Sequence, residues 1–156
     1  MRRMGQLNGL LNMRTAALAA GALVLLAAQS ARAADVEVDV AGVDQARGHV
    51  RVAICTQDTF LKLSCPYEGS AEARPGLTVV KVTGVPPGIY AAQVFHDDTD
   101  GGVIHQNLLG IPREAIGFSN NAPLHFSGPR FSEAAFTVRS DVARISLKLR
   151  RLFGGH

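Results

Sequence analysis

Acidic side chains alternate with valines near the start of the chain: Asp35, Glu37 and Asp39 against Val36, Val38 and Val40. A period of two admits only an extended strand with one dry and one wet face. The same period returns in residues 49–56, where Val50, Val52 and Ile54 share a face, and again in residues 77–83. It reappears in 134–140, with Phe136 and Val138, and in 142–150, with Ile145, Leu147 and Leu149. Residues 89–97 are apolar on both faces, as a central strand requires. A further brief strand is expected at 124–126. Residues 41–48, 84–88 and the Ser140-Asp141 pair are rich in Gly, Pro, Asn, Asp and Ser and read as turns. The first two strands, joined by 41–48, read as a hairpin. No long amphipathic helix interrupts the series, so the chain is expected to be an antiparallel β-sandwich of about seven strands. Tryptophan is absent, and the cysteine spacing is not of the immunoglobulin type.

The N-terminus follows a different rule. Arg2, Arg3 and Arg14 precede a thirteen-residue apolar run at 16–28, and Ala31-Arg32-Ala33 is a small-x-small cleavage site. The run falls short of the roughly 20 apolar residues that span a bilayer. Residues 1–33 are therefore expected to be a signal peptide, leaving no transmembrane anchor after cleavage. The rest is expected to be one domain, 34–150, followed by a frayed tail at 151–156. The chain carries 16 Lys and Arg against 13 Asp and Glu, but four of the arginines lie in the signal and none of the acids do. Cleavage leaves 12 basic against 13 acidic side chains, and with them no basis for nucleic-acid binding. Cys55 and Cys65 are the only cysteines, with nine residues between them. In the periplasmic or secreted location that a signal implies, an even pair reads as a disulfide. The spacing is not that of a C-x-x-C redox or metal pair.

Most of the groups capable of chemistry fall within one connection, residues 94–121. It holds His96, Asp97, Asp98, Asp100, His105, Asn107, Glu114, Ser119 and Asn120. Pro112 suits the first position of a helix, so a short helical turn is expected at 112–115, and another at 58–63. Counted as a calcium loop from Asp97, the sixth position is Gly102, as required, but the fifth is Gly101 and the twelfth is Leu108. A side-chain oxygen and the bidentate glutamate are missing, so a solvated acidic turn is favoured over anything but weak calcium binding. His96 and His105 with the intervening aspartates offer imidazole and carboxylate, and Asp97, Asp100 and His105 are the weak metal candidates. Their spacing follows no regular metal-binding geometry. Gly117-Phe118-Ser119-Asn120-Asn121 is not a G-x-S-x-G nucleophile elbow.

Three segments resemble a known family. His96-Asp97-Asp98-Thr99-Asp100-Gly101-Gly102, residues 107–114 (Asn-Leu-Leu-Gly-Ile-Pro-Arg-Glu) and Gly117-Phe118-Ser119-Asn120-Asn121 are similar to the exported bacterial family known as domain of unknown function 2141. Pro87-Gly88-Ile89-Tyr90-Ala91 also resembles its pattern, and the resemblance extends over 36–149. It implies a secreted or periplasmic sandwich of transthyretin-like general form, and no activity. The family turn resembles His-Asp-Glu-Asn-Gly-Asn-Gly-x-Leu-Asp. Here Thr99 and Gly101 stand in place of its asparagines, and His105 in place of its last aspartate. If the family turn holds a cation, this chain lacks some of its oxygen ligands.

The expectation for function is a non-enzymatic exported module that presents the 94–121 loop to an envelope protein or a small-molecule ligand, with no cofactor. The binding residues would be His96, Asp97, Asp98, Asp100, Asn107, Glu114, Ser119 and Asn120. The alternatives are a periplasmic hydrolase using His96 with a nearby carboxylate, and a purely structural envelope domain.

Overall fold

A computed structural model of the chain describes residues 32–106, 112–139 and 141–152. Nearly all of the expected signal segment, the 107–111 stretch containing Asn107, Ser140 and the end of the tail at 153–156 lie outside the described residues.

Eight strands form two sheets: β1 (Ala34–Val43), β2 (His49–Cys55), β3 (Tyr67–Glu72), β4 (Gly76–Val85), β5 (Gly88–Asp97), β6 (Ile116–Phe118), β7 (Ala135–Val138) and β8 (Ala143–Lys148). One sheet has the order β4-β1-β8; the other has the order β3-β2-β5-β6, with β7 also paired to β5. All pairings are antiparallel except β1 with β8, which is parallel. The only helix among the described residues, beyond a 3₁₀ turn at Ser119–Asn121, is the single turn α1 (Phe131–Ala134). None is long and apolar enough to cross a membrane.

The alternation read from the sequence is the packing itself. Val36, Val38 and Val40 of β1 and Val80 and Val82 of β4 face Val50, Val52 and Ile54 of β2 and Tyr90, Ala92 and Val94 of β5, all of them buried. Each buried valine or isoleucine among them contributes about 1.5–3 kcal/mol on leaving water. β5 is apolar on its other face for a separate reason. Ala91 and Phe95 pack there with Phe60, Phe118, Ala122, Ala134 and Phe131 in a second, smaller core. The covers of that core are the loop closed by the Cys55–Cys65 disulfide and the segment 119–134.

Four local expectations need correction. β1 and β2 are consecutive but do not form a hairpin: β1 pairs with β4 and β8, and β2 with β3 and β5. Residues 112–115 are not helical. Pro112 bridges Gln106, and Glu114 turns inward, which an exposed helical turn would not allow. Residues 124–126 are not a strand, because a turn closed by Gly128 N–H donating to the His125 carbonyl (3.0 Å) carries Phe126 into solvent. The expected helical turn at 58–63 is a series of hydrogen-bonded turns, starting with Phe60 N–H donating to the Thr56 carbonyl at 3.0 Å.

The disulfide ties the end of β2 to the loop that covers the second core. Denatured, unreduced protein should therefore show no free thiol on titration. Reduction, or Cys55→Ser with Cys65→Ser, should cost about 2–3 kcal/mol in urea unfolding. Two reactive thiols in the unreduced protein would disprove the pairing.

Candidate functional site

At the end of β5 the chain enters the acidic turn, and successive side chains leave on opposite faces of the sheet. His96 continues the inner row of Tyr90, Ala92 and Val94 and is buried. Its Nε2–H donates to the Arg47 carbonyl at 2.8 Å. Its Nδ1 lies 3.5 Å from an Asp44 oxygen without forming a hydrogen bond among the described residues. Asp44 is itself held by the Arg151 guanidinium at 2.8 Å.

Asp97 leaves on the outer face and is also buried. Its carboxylate accepts from Arg51 Nε at 2.6 Å, from the Gly102 backbone at 2.7 Å and from the Gly101 backbone at 3.1 Å. Burial alone would raise its pKa. The Arg51 hydrogen bond and charge, with the two backbone N–H groups, outweigh that and hold it below the ordinary carboxylate value. Asp98 accepts from Arg47 at 3.0 Å and Gln45 at 3.3 Å. Asp100, in the left-handed region at φ 57°, accepts from His49 Nδ1 at 2.6 Å. The three carboxylates of the turn thus meet three basic side chains of the same chain: Arg51, Arg47 and His49. A bound cation would have to compete with all three.

Glycine makes this contact. Gly48 has φ +70°, and a Cβ placed on it would lie 1.9 Å from the Asp97 carbonyl oxygen. The β1–β2 connection therefore presses backbone to backbone against the acidic turn.

Of the remaining candidates, Glu114 lies beside the end of β5, where His96 N–H donates to the Ala115 carbonyl at 3.0 Å, and Ser119 and Asn120 lie farther along the sheet. Glu114 is buried and accepts from the His105 backbone N–H at 3.0 Å and from His105 Nδ1 at 2.7 Å, closing the loop on itself. Ser119 is fully buried at the edge of the sheet. It accepts from Ala92 N–H at 2.9 Å and donates to the Ala134 carbonyl. The Asn120 amide donates to the carbonyls of Glu133 (3.2 Å) and Ala135 (2.8 Å). His96, Asp97, Glu114 and Ser119 therefore each serve a separate backbone contact and do not converge on one pocket. Among the described residues no three His, Cys, Asp or Glu side chains are placed to hold a metal ion together. Among the described residues of the loop beyond the turn, Val103, Ile104, His105 and Gln106 are exposed.

Sequence reading missed the partners. Arg47, His49 and Arg51 recur at period two, which is the one local signal that they line a wet strand face. That this face meets the acidic turn depends on the pairing of β2 with β5, His49 opposite Asp97, across a gap of nearly fifty residues.

A two-sheet β-sandwich with an acidic turn paired to basic side chains of its own chain is the class that this fold and site define. The chain belongs to a family of uncharacterized proteins conserved in bacteria (DUF2141), whose model matches residues 38–146. No curated protein and no solved structure matches it.

Proposed function

We propose that this chain is an exported, non-enzymatic binding module, freed of residues 1–33, whose sandwich presents the loop after the acidic turn. The observation that carries the reading is the pairing of Asp97, Asp98 and Asp100 with Arg51, Arg47 and His49. A general acid, base or metal ligand needs an uncommitted lone pair facing substrate space. Asp97 commits both oxygens to the fold, Asp98 and Asp100 commit one each, and the free lone pair of His96, on Nδ1, is buried beside Asp44 and away from substrate space. That arrangement argues against the hydrolase and against any but weak calcium binding in the turn. The exposed Val103 and Ile104 give the loop an apolar contact for an envelope protein or an apolar ligand.

The purely structural reading draws on one observation of its own, the closure of the loop by Glu114 on His105. Photo-crosslinking in cells separates the two. A benzophenone amino acid at position 104 should give a discrete crosslinked species that the same group at exposed position 142 does not. Identical patterns at both positions, or none at 104, would overturn the binding role and leave the structural one.

A further inference from the structure

The other end of β2 carries a second set of exposed apolar groups. Leu63 and Phe126 are 106% and 110% exposed, and Leu61 is 45% exposed. Single exposed apolar residues are ordinary on a protein surface. These three come from two neighbouring loops: a Cβ on Gly128 would lie 2.9 Å from Leu61 Cδ1. Both loops cover the second core, where the Phe60 ring meets Phe118 and Phe131 edge to face at 5.9 and 5.8 Å.

The loops are also braced. The Cys55–Cys65 bond closes the first. Gln93 clamps it from β5, accepting from Leu61 N–H at 3.0 Å and donating to the Lys62 carbonyl at 3.0 Å. Leu61 sits at φ 64°, a conformation that costs a non-glycine residue roughly 1 kcal/mol or more and persists only where the surroundings impose it. Little further ordering is needed to bring Leu63 and Phe126 against a partner.

We infer that this end of the molecule is a membrane-contact surface, with Leu63 and Phe126 inserting at the headgroup level of an anionic bilayer and Lys62 meeting lipid phosphates. Shape and area favour lipid over protein. Side chains this exposed are tips with nothing beside them to form a pocket. Three of them offer on the order of 400 Å², about half of what one partner buries in a stable protein interface. A bilayer needs only a few inserted side chains and an adjacent cation. Charge agrees: Lys62 and Arg130 are exposed beside the tips. Of the nearby acids, Glu133 is occupied by His125 at 2.9 Å and by the Arg130 backbone N–H at 2.8 Å, and Asp58 and, on β3, Glu68 are exposed. This surface lies at the Cys55 end of β2, whereas Val103 and Ile104 follow the turn at its His49 end, roughly 20 Å away along the strand. Failure of one reading therefore leaves the other standing.

The chain contains no tryptophan, so Phe126→Trp gives a single tryptophan, excited apart from the two tyrosines, at the proposed contact. A signal from residue 126 reports this surface and not the apolar run at 16–28. With vesicles of phosphatidylethanolamine and phosphatidylglycerol, the emission of the full chain should shift to the blue and be quenched by acyl-brominated lipid. Adding Leu63→Ser should weaken the apparent partitioning on the order of 10-fold. Lys62→Gln should weaken it on these vesicles and not on phosphatidylcholine, in a salt-dependent way. Both sites are solvent-exposed, and urea unfolding should confirm that the variants keep their fold. Emission unmoved by either vesicle would overturn the inference. So would a blue shift that survives Leu63→Ser undiminished, or one that grows with protein concentration in the absence of lipid, which would assign the patch to a protein partner.

Discussion

Gly48→Ala should lower the melting temperature by about 10–20 °C, the equivalent of roughly 3–5 kcal/mol in a domain of this size. The added methyl would sit 1.9 Å from the Asp97 carbonyl oxygen and 2.8 Å from Asp98 Cα. Neither is the far end of a flexible side chain, so backbone has to move. The movement would pull the β1–β2 connection away from the turn that Arg47, His49 and Arg51 bind. Gly76→Ala is the matched control. Gly76 is also left-handed, at φ +87°, but nothing lies within 4 Å of its would-be Cβ. It should cost only the conformational penalty of about 1 kcal/mol. Equal losses in the two variants, measured by thermal and urea unfolding, would show that the close approach at Gly48 is not what holds the junction.

The second large effect is expected at Asp97. Asp97→Ala strands the Arg51 guanidinium and the N–H groups of Gly101 and Gly102 beside an apolar methyl. Breaking a buried, hydrogen-bonded ion pair from one side costs about 3–5 kcal/mol. Arg51 is partly exposed and can recover water, so the lower end of that range is expected. Asp97→Asn keeps an acceptor and should fall between. The pH dependence has a definite sign. Because the folded pKa lies below the unfolded one, the ionised carboxylate contributes its stability above the ordinary value near pH 4. That contribution is lost as the pH falls from there through the lowered folded pKa. Asp35, Asp44 and Glu133 are shifted in the same direction, so the test is the difference between wild type and Asp97→Asn. The difference should shrink as the solution is acidified below about pH 4 and stay level above it. A difference that grows on acidification would contradict the ion-pair account.

How far the sequence carried the fold can be judged from particular strands. β1, β2, β4 and β8 were legible because burial follows a period of two and valine or isoleucine marks the dry face. β5 was legible as central, since it touches both cores. β3 was missed. Tyr-Glu-Gly-Ser-Ala-Glu has no β-branched residue, and its Gly69 is there because a Cβ would meet the Lys81 carbonyl at 2.6 Å. That contact joins strands from different sheets, and no local pattern announces it. α1 was missed because one turn is too short for a helical period to register.

The candidate site was legible as a location and not as an arrangement. Asp97, Asp98 and Asp100 stand out in the sequence by their density. Whether a cluster of acids is empty, solvated or occupied depends on what the fold brings opposite. Here that is a strand starting 48 positions earlier, His49 against Asp97. His105 shows the same limit. It stands where the family turn resembles an aspartate, and only the structure reveals that its ring donates to Glu114 at 2.7 Å.

The parallel pairing of β1 with β8 places Val38 beside Ile145, so the middle strand of one sheet waits for the last strand of the chain. A polypeptide emerging from its N-terminus cannot complete that layer until more than a hundred further residues have followed. Contacts of such long sequence separation form slowly. Closure of that layer is thus tied to the last strand of the chain to be made, whatever the other sheet has formed by then.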